Sequence, residues 1–547
     1  MGSIPAGRTI KMDLNAKNLI SKIPKDVLHV TETLEKADFE AYLVGGCVRD
    51  LIMGKDPKDW DVATNAKPEQ IIGLFEKTIY ENTFGTVGVV VSRETRMDNV
   101  SHVTDPTLEA ISYKLEPVIV EVTPYRIETK YSDFRHPDEV KFSDKLEDDL
   151  KRRDFTVNAM ALRISSAEGG SASGGKGHLV DLFKGLKDIK DKTLRAVGNP
   201  DDRFTEDALR MLRAVRFACQ FNFSVSYETT ESILKNSELI KKISGERIRD
   251  EFVKIIMSEN SANGIVMLQK FKMLSNIIPE LEEGIGCEQS GEHIYDVWNH
   301  LLHALTHATN KNWSLEIRLA ALFHDIGKPR SRRSTPTQPP PTVGGGARRG
   351  YKKYTFYGHE VIGARMAKKI MERLKFSRKE IELTEKLIRN HMFFSDTELI
   401  TLSAVRRIIV KVGKENIWSL MDVRECDRVG MKKKEAPYRL RKYFAMIEEA
   451  LRDAISVGQL KIDGGFMIKE LGITPGPRMG WILHALLEEV LDAPEKNTVE
   501  HLSELAKSLN MLGDAELRTL GERGKEKKEE LEEKEVEKLH TKHGVRK

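Results

Sequence analysis

Between Phe39 and Val91 short apolar runs alternate with breaks: AYLVGG, CVRDLIMG, DWDVAT, PEQIIGLFEK and GTVGVVV. Gly-bounded apolar runs between short helical patterns predict a domain of mixed sheet and helices. A polar stretch, residues 93–116, then delays the next strand, VIVEVTPYR, and reads as an insertion or a β-hairpin arm. The Gly/Ser run 169–177 marks a flexible turn between ALRIS and HLVDLF. Beyond Asp201 the strand signals almost vanish. EDALRMLRAVRFACQ, ERIRDEFVKIIMS and NGIVMLQKFKMLSNII carry apolar residues at three and four spacing, the pattern of amphipathic helices. A second helical block begins near Glu292, broken by a Pro/Gly-rich loop, 331–350. From Arg523 both charge signs mix with hardly an apolar residue, which predicts a frayed helix or a disordered tail. The fold class is therefore α+β, with boundaries at 1–164, 178–285, 290–430, 431–522 and 523–547.

Composition narrows this modestly. The 547 residues are 40% hydrophobic and 31% charged, with 88 Lys plus Arg against 84 Asp plus Glu, a soluble globular balance. The net charge of +4 means that attraction to an acidic polymer must come from a local basic surface. Cys47, Cys219, Cys287 and Cys426 form no CxxC pair, which argues against a disulfide framework and a zinc ribbon and for a reducing, cytoplasmic compartment. No apolar run reaches the ~18 residues of a membrane span, and the polar start lacks the apolar core of a secretory signal.

The chemistry concentrates in LVGGCVRDLIMGKDPKDWDVAT. Alternation along a strand puts Asp59 and Asp61 on one face and Trp60 on the other. Two carboxylates facing one way suit hard cations, and Mg²⁺ between them can activate a hydroxyl and neutralise a leaving pyrophosphate. DxD alone reads rather as a solvated strand end, since Asp is common at strand edges. Gly45 and Gly46 let backbone approach phosphate, and Arg49, one turn on, can grip it. Downstream come RRDFTVNAMA (152–161) and RFTEDALRMLRAVRFA (203–218). On a helix Asp207 and Arg210 share a face, offering one acceptor beside a fork of donors. Cytosine and adenine both pair an amino donor with ring acceptors, so this polarity fits either; guanine and uracil reverse it. An intrahelical salt bridge is the plain alternative.

This ordered set resembles the class II tRNA nucleotidyltransferase and bacterial poly(A) polymerase family from about Tyr42 to Ile256. The resemblance implies a nucleotidyltransferase head (1–164), a helical nucleotide-selecting neck (178–285), and catalytic Mg²⁺ held by Asp59 and Asp61. Glu121 is the candidate third carboxylate, with a plain strand residue as the other reading. It further assigns Asp154 to the sugar hydroxyls, Arg153 and Asn158 to the phosphates, and Glu206, Asp207 and Arg210 to base selection, Glu206 bracing the other two; Arg213 joins the nucleotide-binding set. Residues 125–142 resemble the family's mobile loop, and SGERIRDEF (244–252) its last neck motif.

In the second block, His300, His324-Asp325, His359, His391 and Asp427 form a spaced imidazole and carboxylate set that suits one or two divalent transition metals. Their order resembles the HD phosphohydrolase superfamily over roughly 292–430. That implies His300, His324, Asp325 and Asp427 as the main ligands and His359 and His391 as ligands of a second metal or of phosphate. His303 and His307 share the helical face of His300 and compete with it for the first position. The combined expectation is CCA addition to tRNA 3′ ends from CTP and ATP, joined by HD-domain phosphohydrolase activity for 3′-end repair, with poly(A), A-only or CC-only addition as the alternative, no membrane partner and no signal for oligomeric state.

Overall fold

The structure, a computed structural model, describes residues 20–80, 85–91, 118–128, 140–165, 176–289, 293–335, 353–392, 400–429, 437–451 and 457–544. The expected insertion at 93–116 and the middle of the 125–142 loop lie outside these residues, as do most of the 169–177 and 331–350 stretches. The chain forms two compact units, 1–388 and 389–547, so the division falls inside the stretch read as one 290–430 block.

The first unit opens with helix α1 (Lys25–Lys36), strand β1 (Ala41–Val44), helix α2 (Gly46–Ile52) and strand β2 (Trp60–Thr64). Strands β3 (Thr78–Tyr80), β4 (Val87–Val91), β5 (Val118–Pro124), β8 (Met160–Ser165) and β9 (Lys176–Asp181) complete a seven-stranded sheet in the order β3-β4-β5-β2-β1-β8-β9; β6 (Arg126–Glu128) and β7 (Val140–Phe142) pair separately. β2 runs parallel to β5 and antiparallel to β1. Both faces of β1 are buried: Leu43 joins Val27, Val30, Leu34 and Trp60 in one core layer, and Tyr42 and Val44 join Tyr125 and Leu150 in the other. Burial on both sides makes AYLV a central strand. Because Trp60 is committed to the α1 layer, alternation turns Asp61 to the opposite face. β9 pairs with β8 along its length, so the sheet extends past residue 164 and a boundary at 178 cuts a strand.

After the sheet the first unit is mostly helical, with one short parallel strand pair, Thr193–Leu194 with Ser224–Val225: α3 (Pro200–Glu206), α4 (Leu209–Phe221), α5 (Gly245–Ile256), α6 (Val297–Asn310), α7 (Leu315–Phe323) and α8 (His359–Arg373). The interrupting loop begins and ends as a two-stranded ribbon, β10 (Arg333–Thr335) with β11 (Lys353–Thr355), so the block is not wholly helical.

The second unit contains α9 (Ile417–Asp427), α10 (Pro477–Asp492) and α11 (Asp514–Lys542). α11 corrects the frayed-tail expectation, since one helix of 29 residues runs through residue 523. Two causes are visible. Gly521 and Gly524 let its first half approach the α10 backbone at Trp481 and His484, and ion pairs such as Arg518 with Glu522 and Lys534 with Glu530 link successive turns. Among the described residues no helix is long and apolar enough to cross a membrane.

Candidate active site

Asp59 stands immediately before β2 and Asp61 is its second residue; both line one cleft. Asp61 lies in register with Glu121 on the parallel neighbour β5, which puts their side chains on the same sheet face. The carboxyl of Asp61 is pushed up to about 6 from 3.8, chiefly by burial and, against the pull of Arg153, by the charges of Glu121, Asp59 and Asp149. An all-oxygen donor set whose charge is costly when unneutralised fits a hard divalent cation. Because folding raises this pKa, the site's contribution to metal-free stability is present below about 4 and lost as pH rises through about 6. Mg²⁺ is therefore expected to raise Tm at pH 7.5 and to lose that effect below about pH 6, as the proton displaces it. Thermal melts with and without Mg²⁺ across this range check it; an equal Mg²⁺ shift at pH 5 would contradict it.

Gly45, φ 75°, turns the chain from β1 into α2. A Cβ there would lie 2.8 Å from Arg153 Nη1 and 3.5 Å from Asp61 Oδ2, so glycine keeps open the space between the cation and the carboxylate. Gly46 begins α2, and Arg49 in its first turn donates to Asn158 Oδ1 at 2.6 Å and to Asp50 at 2.9 Å.

RRDFTVNA forms a turn and one 3₁₀ segment, Thr156–Asn158, leading into β8. Buried Asp149 accepts from both Arg152 and Arg153, fixing the two guanidinium groups at the cleft. Asp154 is buried and accepts from Asn158 Nδ2 (3.0 Å) and Arg213 Nε (2.8 Å). Burial alone would raise its carboxyl, but Arg213 and Asn158 hold it down to about 2.

The EDALR segment departs from the expected geometry. EDALR is not one helix: Glu206 ends α3, Asp207 is extended (φ −139°, ψ 104°), and α4 starts at Leu209. Arg210 donates to Glu206 Oε2 at 2.5 Å, and Glu206 also pairs with Arg203. Asp207 instead accepts from the Leu209 N–H (3.0 Å) and from Arg247 on α5 (2.8 Å). Glu206 thus braces Arg210 but not Asp207, and the break between helices frees the pair from the salt bridge an unbroken helix would favour. Both residues line the same cleft as Asp59 and Asp61, a cavity of about 530 Å³.

Sequence reading missed Arg216 and Phe217, and it gave Arg247 only as part of a motif; all three line the cleft. Arg216 pairs with buried Glu251 at 2.9 Å. The available signal was spacing: Arg210, Arg213, Arg216 and Phe217 recur at three and four along α4.

In the helical block of this unit, His300 Nε2 lies 3.1 Å from His324 Nε2 and 3.4 Å from Asp325 Oδ2, and His359 Nε2 lies 3.2 Å from Asp325 Oδ1. All four residues are buried. His324 Nδ1 faces the Ala321 carbonyl (2.9 Å) and His359 Nδ1 the Phe356 carbonyl (2.8 Å). Those carbonyls can only accept, so both rings carry hydrogen on Nδ1 and turn Nε2 toward Asp325, the ring orientation a metal ligand would have. Lys328 Nζ lies 2.6 Å from Asp325, whose carboxyl is held well below its usual range by Lys328, His324 and His359 against the effect of burial. His303 is exposed and stacked on Tyr295, and His307 sits against Trp313, which leaves His300 as the inward-facing member of the three. In the second unit His391 is buried, and Asp427 accepts from Arg424 at 2.7 Å.

Residues 41–195 match the poly A polymerase head domain, residues 222–285 the probable RNA and SrmB-binding site of polymerase A, and residues 297–432 the HD domain. A CCA-adding enzyme of Lactobacillus delbrueckii subsp. bulgaricus is 42% identical over 243 residues, 44% of this chain and 52% of that protein. One from Ligilactobacillus salivarius is 41% identical over 251 residues, 45% of this chain and 54% of that protein. The chain spans about half the length of the curated relatives it matches. The crystal structure of the Bacillus stearothermophilus CCA-adding enzyme in complex with CTP shares the fold, with TM-score 0.53 and 23% identity over 89% of this chain and 97% of that one.

Proposed function

We propose that this protein adds CMP, CMP and AMP to tRNA 3′ ends from CTP and ATP by metal-dependent nucleotidyl transfer. The observation that carries the reading is that Asp59, Asp61, Arg153, Asp154, Asp207, Arg210 and Arg213 line one and the same cleft. Asp59 and Asp61, with Glu121, would hold Mg²⁺, which when bound makes a hydroxyl more acidic and neutralises charge building on phosphate. In the transfer the primer's 3′-oxygen bonds to the α-phosphorus while the bond to the pyrophosphate oxygen breaks. Arg153 and Arg49 meet phosphate oxygens, Arg49 oriented by Asn158, and the Asp154–Arg213 pair meets the ribose. Asp207 accepts from the N4 amino group of cytosine or the N6 of adenine, and Arg210 donates to the ring acceptors alongside. The protein is thereby its own template.

Incubation with tRNA lacking its CCA tests this: CTP alone should extend the end by two residues, and CTP with ATP by three. A long tail from ATP alone would favour the poly(A) reading, and no incorporation in the presence of Mg²⁺ would end both.

A second activity is favoured by the two Nδ1-tethered histidines around Asp325. His300, His324, Asp325 and His359 fit a divalent transition metal, which when bound polarises phosphate and activates water. We propose phosphohydrolysis at 3′ ends, removal of phosphate or opening of 2′,3′-cyclic phosphate; His391 and Asp427 rest on the motif alone. Asp325→Asn is expected to abolish bound metal, read by metal analysis, and this hydrolysis, while CMP incorporation stays at the wild-type rate. Parallel loss of both activities would show that the two sites are not separate.

A further inference from the structure

Helix α5 is gripped at both ends by α7 and α8, the helices that bear the histidine cluster. At its start, Gly245 lies so near the end of α8 that a Cβ there would stand 2.5 Å from the Arg373 carbonyl oxygen, and Arg249, one turn on, donates to the Lys375 carbonyl. At its end, the buried guanidinium of Arg318 on α7 donates from Nη1 to the carbonyls of Ile256 (3.0 Å) and Ser258 (3.4 Å). Arg318 is fixed in turn by the Trp313 carbonyl (3.0 Å) and Asn312 Oδ1 (3.3 Å). The last carbonyls of a helix lack partners within it, and a cation there also meets the negative end of the helix dipole.

The two grips belong to one body. His324 and Asp325 follow α7 directly and His359 opens α8, with His359 Nε2 3.2 Å from Asp325 Oδ1. A Cβ on Gly327 would lie 2.6 Å from Gly363 N, so the turn after α7 meets α8 backbone to backbone. Arg373 also donates to the Ile277 carbonyl (3.1 Å) and pairs with Glu280 (2.9 Å), which anchors the end of α8.

What α5 carries is the hold on Asp207. That residue is extended between two helices, and its side chain accepts from the Leu209 N–H and from Arg247 in the first turn of α5. A helix of 12 residues is marginal by itself and takes its place from packing. Wherever the two grips put α5, they put Arg247, and with it the Asp207 carboxylate.

We propose that the helical block carrying His300, His324, Asp325 and His359 is also a brace for base selection: α7 and α8 clamp α5, and α5 fixes Asp207 through Arg247. Gly245, Arg249 and Arg318 are then positioning residues; none of the three lines the cleft. The proposal rests on the assignment of Asp207 to base selection made above and adds what keeps that carboxylate in place.

The test is the binding of CTP and of UTP to the full chain with Mg²⁺, by calorimetry without tRNA. Gly245→Ala forces α5 off the Arg373 carbonyl. Because misplacing a positioned group by about 1 Å can cost on the order of a hundredfold, the affinity ratio of CTP to UTP is expected to fall by on the order of tenfold. Arg249→Ala removes one hydrogen bond near the surface and should lower the ratio roughly threefold, with Arg249→Lys, which keeps a donor for the Lys375 carbonyl, restoring most of it. Arg247→Ala lowers the ratio by itself, and adding Gly245→Ala to it should lower it no further, since both act along one path. A ratio unchanged in both Gly245→Ala and Arg249→Ala, or a Gly245→Ala effect that multiplies in full onto Arg247→Ala, overturns the brace and leaves base selection by Asp207 standing. A wild-type protein that binds CTP and UTP alike removes both.

Discussion

Asp61→Asn is expected to lower nucleotide incorporation by on the order of a thousandfold while leaving the head folded. The amide keeps the side chain's volume on β2 but removes the charge that would hold a cation beside Glu121 and Asp59. It also relieves the like-charge repulsion around half-buried Asp61, so metal-free Tm at pH 7.5 should rise, and the Mg²⁺-dependent shift in Tm should disappear. Incorporation kinetics and paired melts read the two effects separately. Near-normal turnover in this variant would mean that the reacting atoms lie elsewhere.

Asp207→Asn is expected to reduce the preference for CTP over UTP by tenfold to hundredfold, through gained UTP use more than lost CTP use. The wild-type carboxylate facing O4 of uracil sets two acceptors against each other, a mismatch of about 1 to 3 kcal/mol. An amide can turn its NH₂ toward that oxygen and remove the penalty. Arg247 and the Leu209 N–H hold the side chain in place, so the change is one of polarity with little change of position. Competition between CTP and UTP at a single tRNA end measures it; an unaltered ratio would remove Asp207 from base selection. Arg210→Ala should instead weaken CTP and ATP alike, since the donors it supplies serve both bases.

The two carboxylates facing one way could be read from the alternation of DWDVAT alone, because a strand has one geometry and Trp60 had to be buried. The same reasoning failed for EDALR. Helical spacing put Asp207 and Arg210 on one face, yet the helix breaks at Asp207, and what holds that residue is Arg247, 40 positions on. Nothing local announces such a partner. The tail was misjudged for a related reason: its composition looked unfit for packing, and only the approach of Gly521 and Gly524 to another helix shows why half of it is docked.

What the sequence determined by itself was therefore chemistry of short range: which residue types sit together, which face of a strand they share, and the order of motifs that assigns them to a family. Tertiary structure decided which of three histidines on α6 turns inward and which carboxylate braces which arginine. Those choices depend on contacts between segments distant in the chain, where packing and the pairing of buried charge select among arrangements that local periodicity leaves equal.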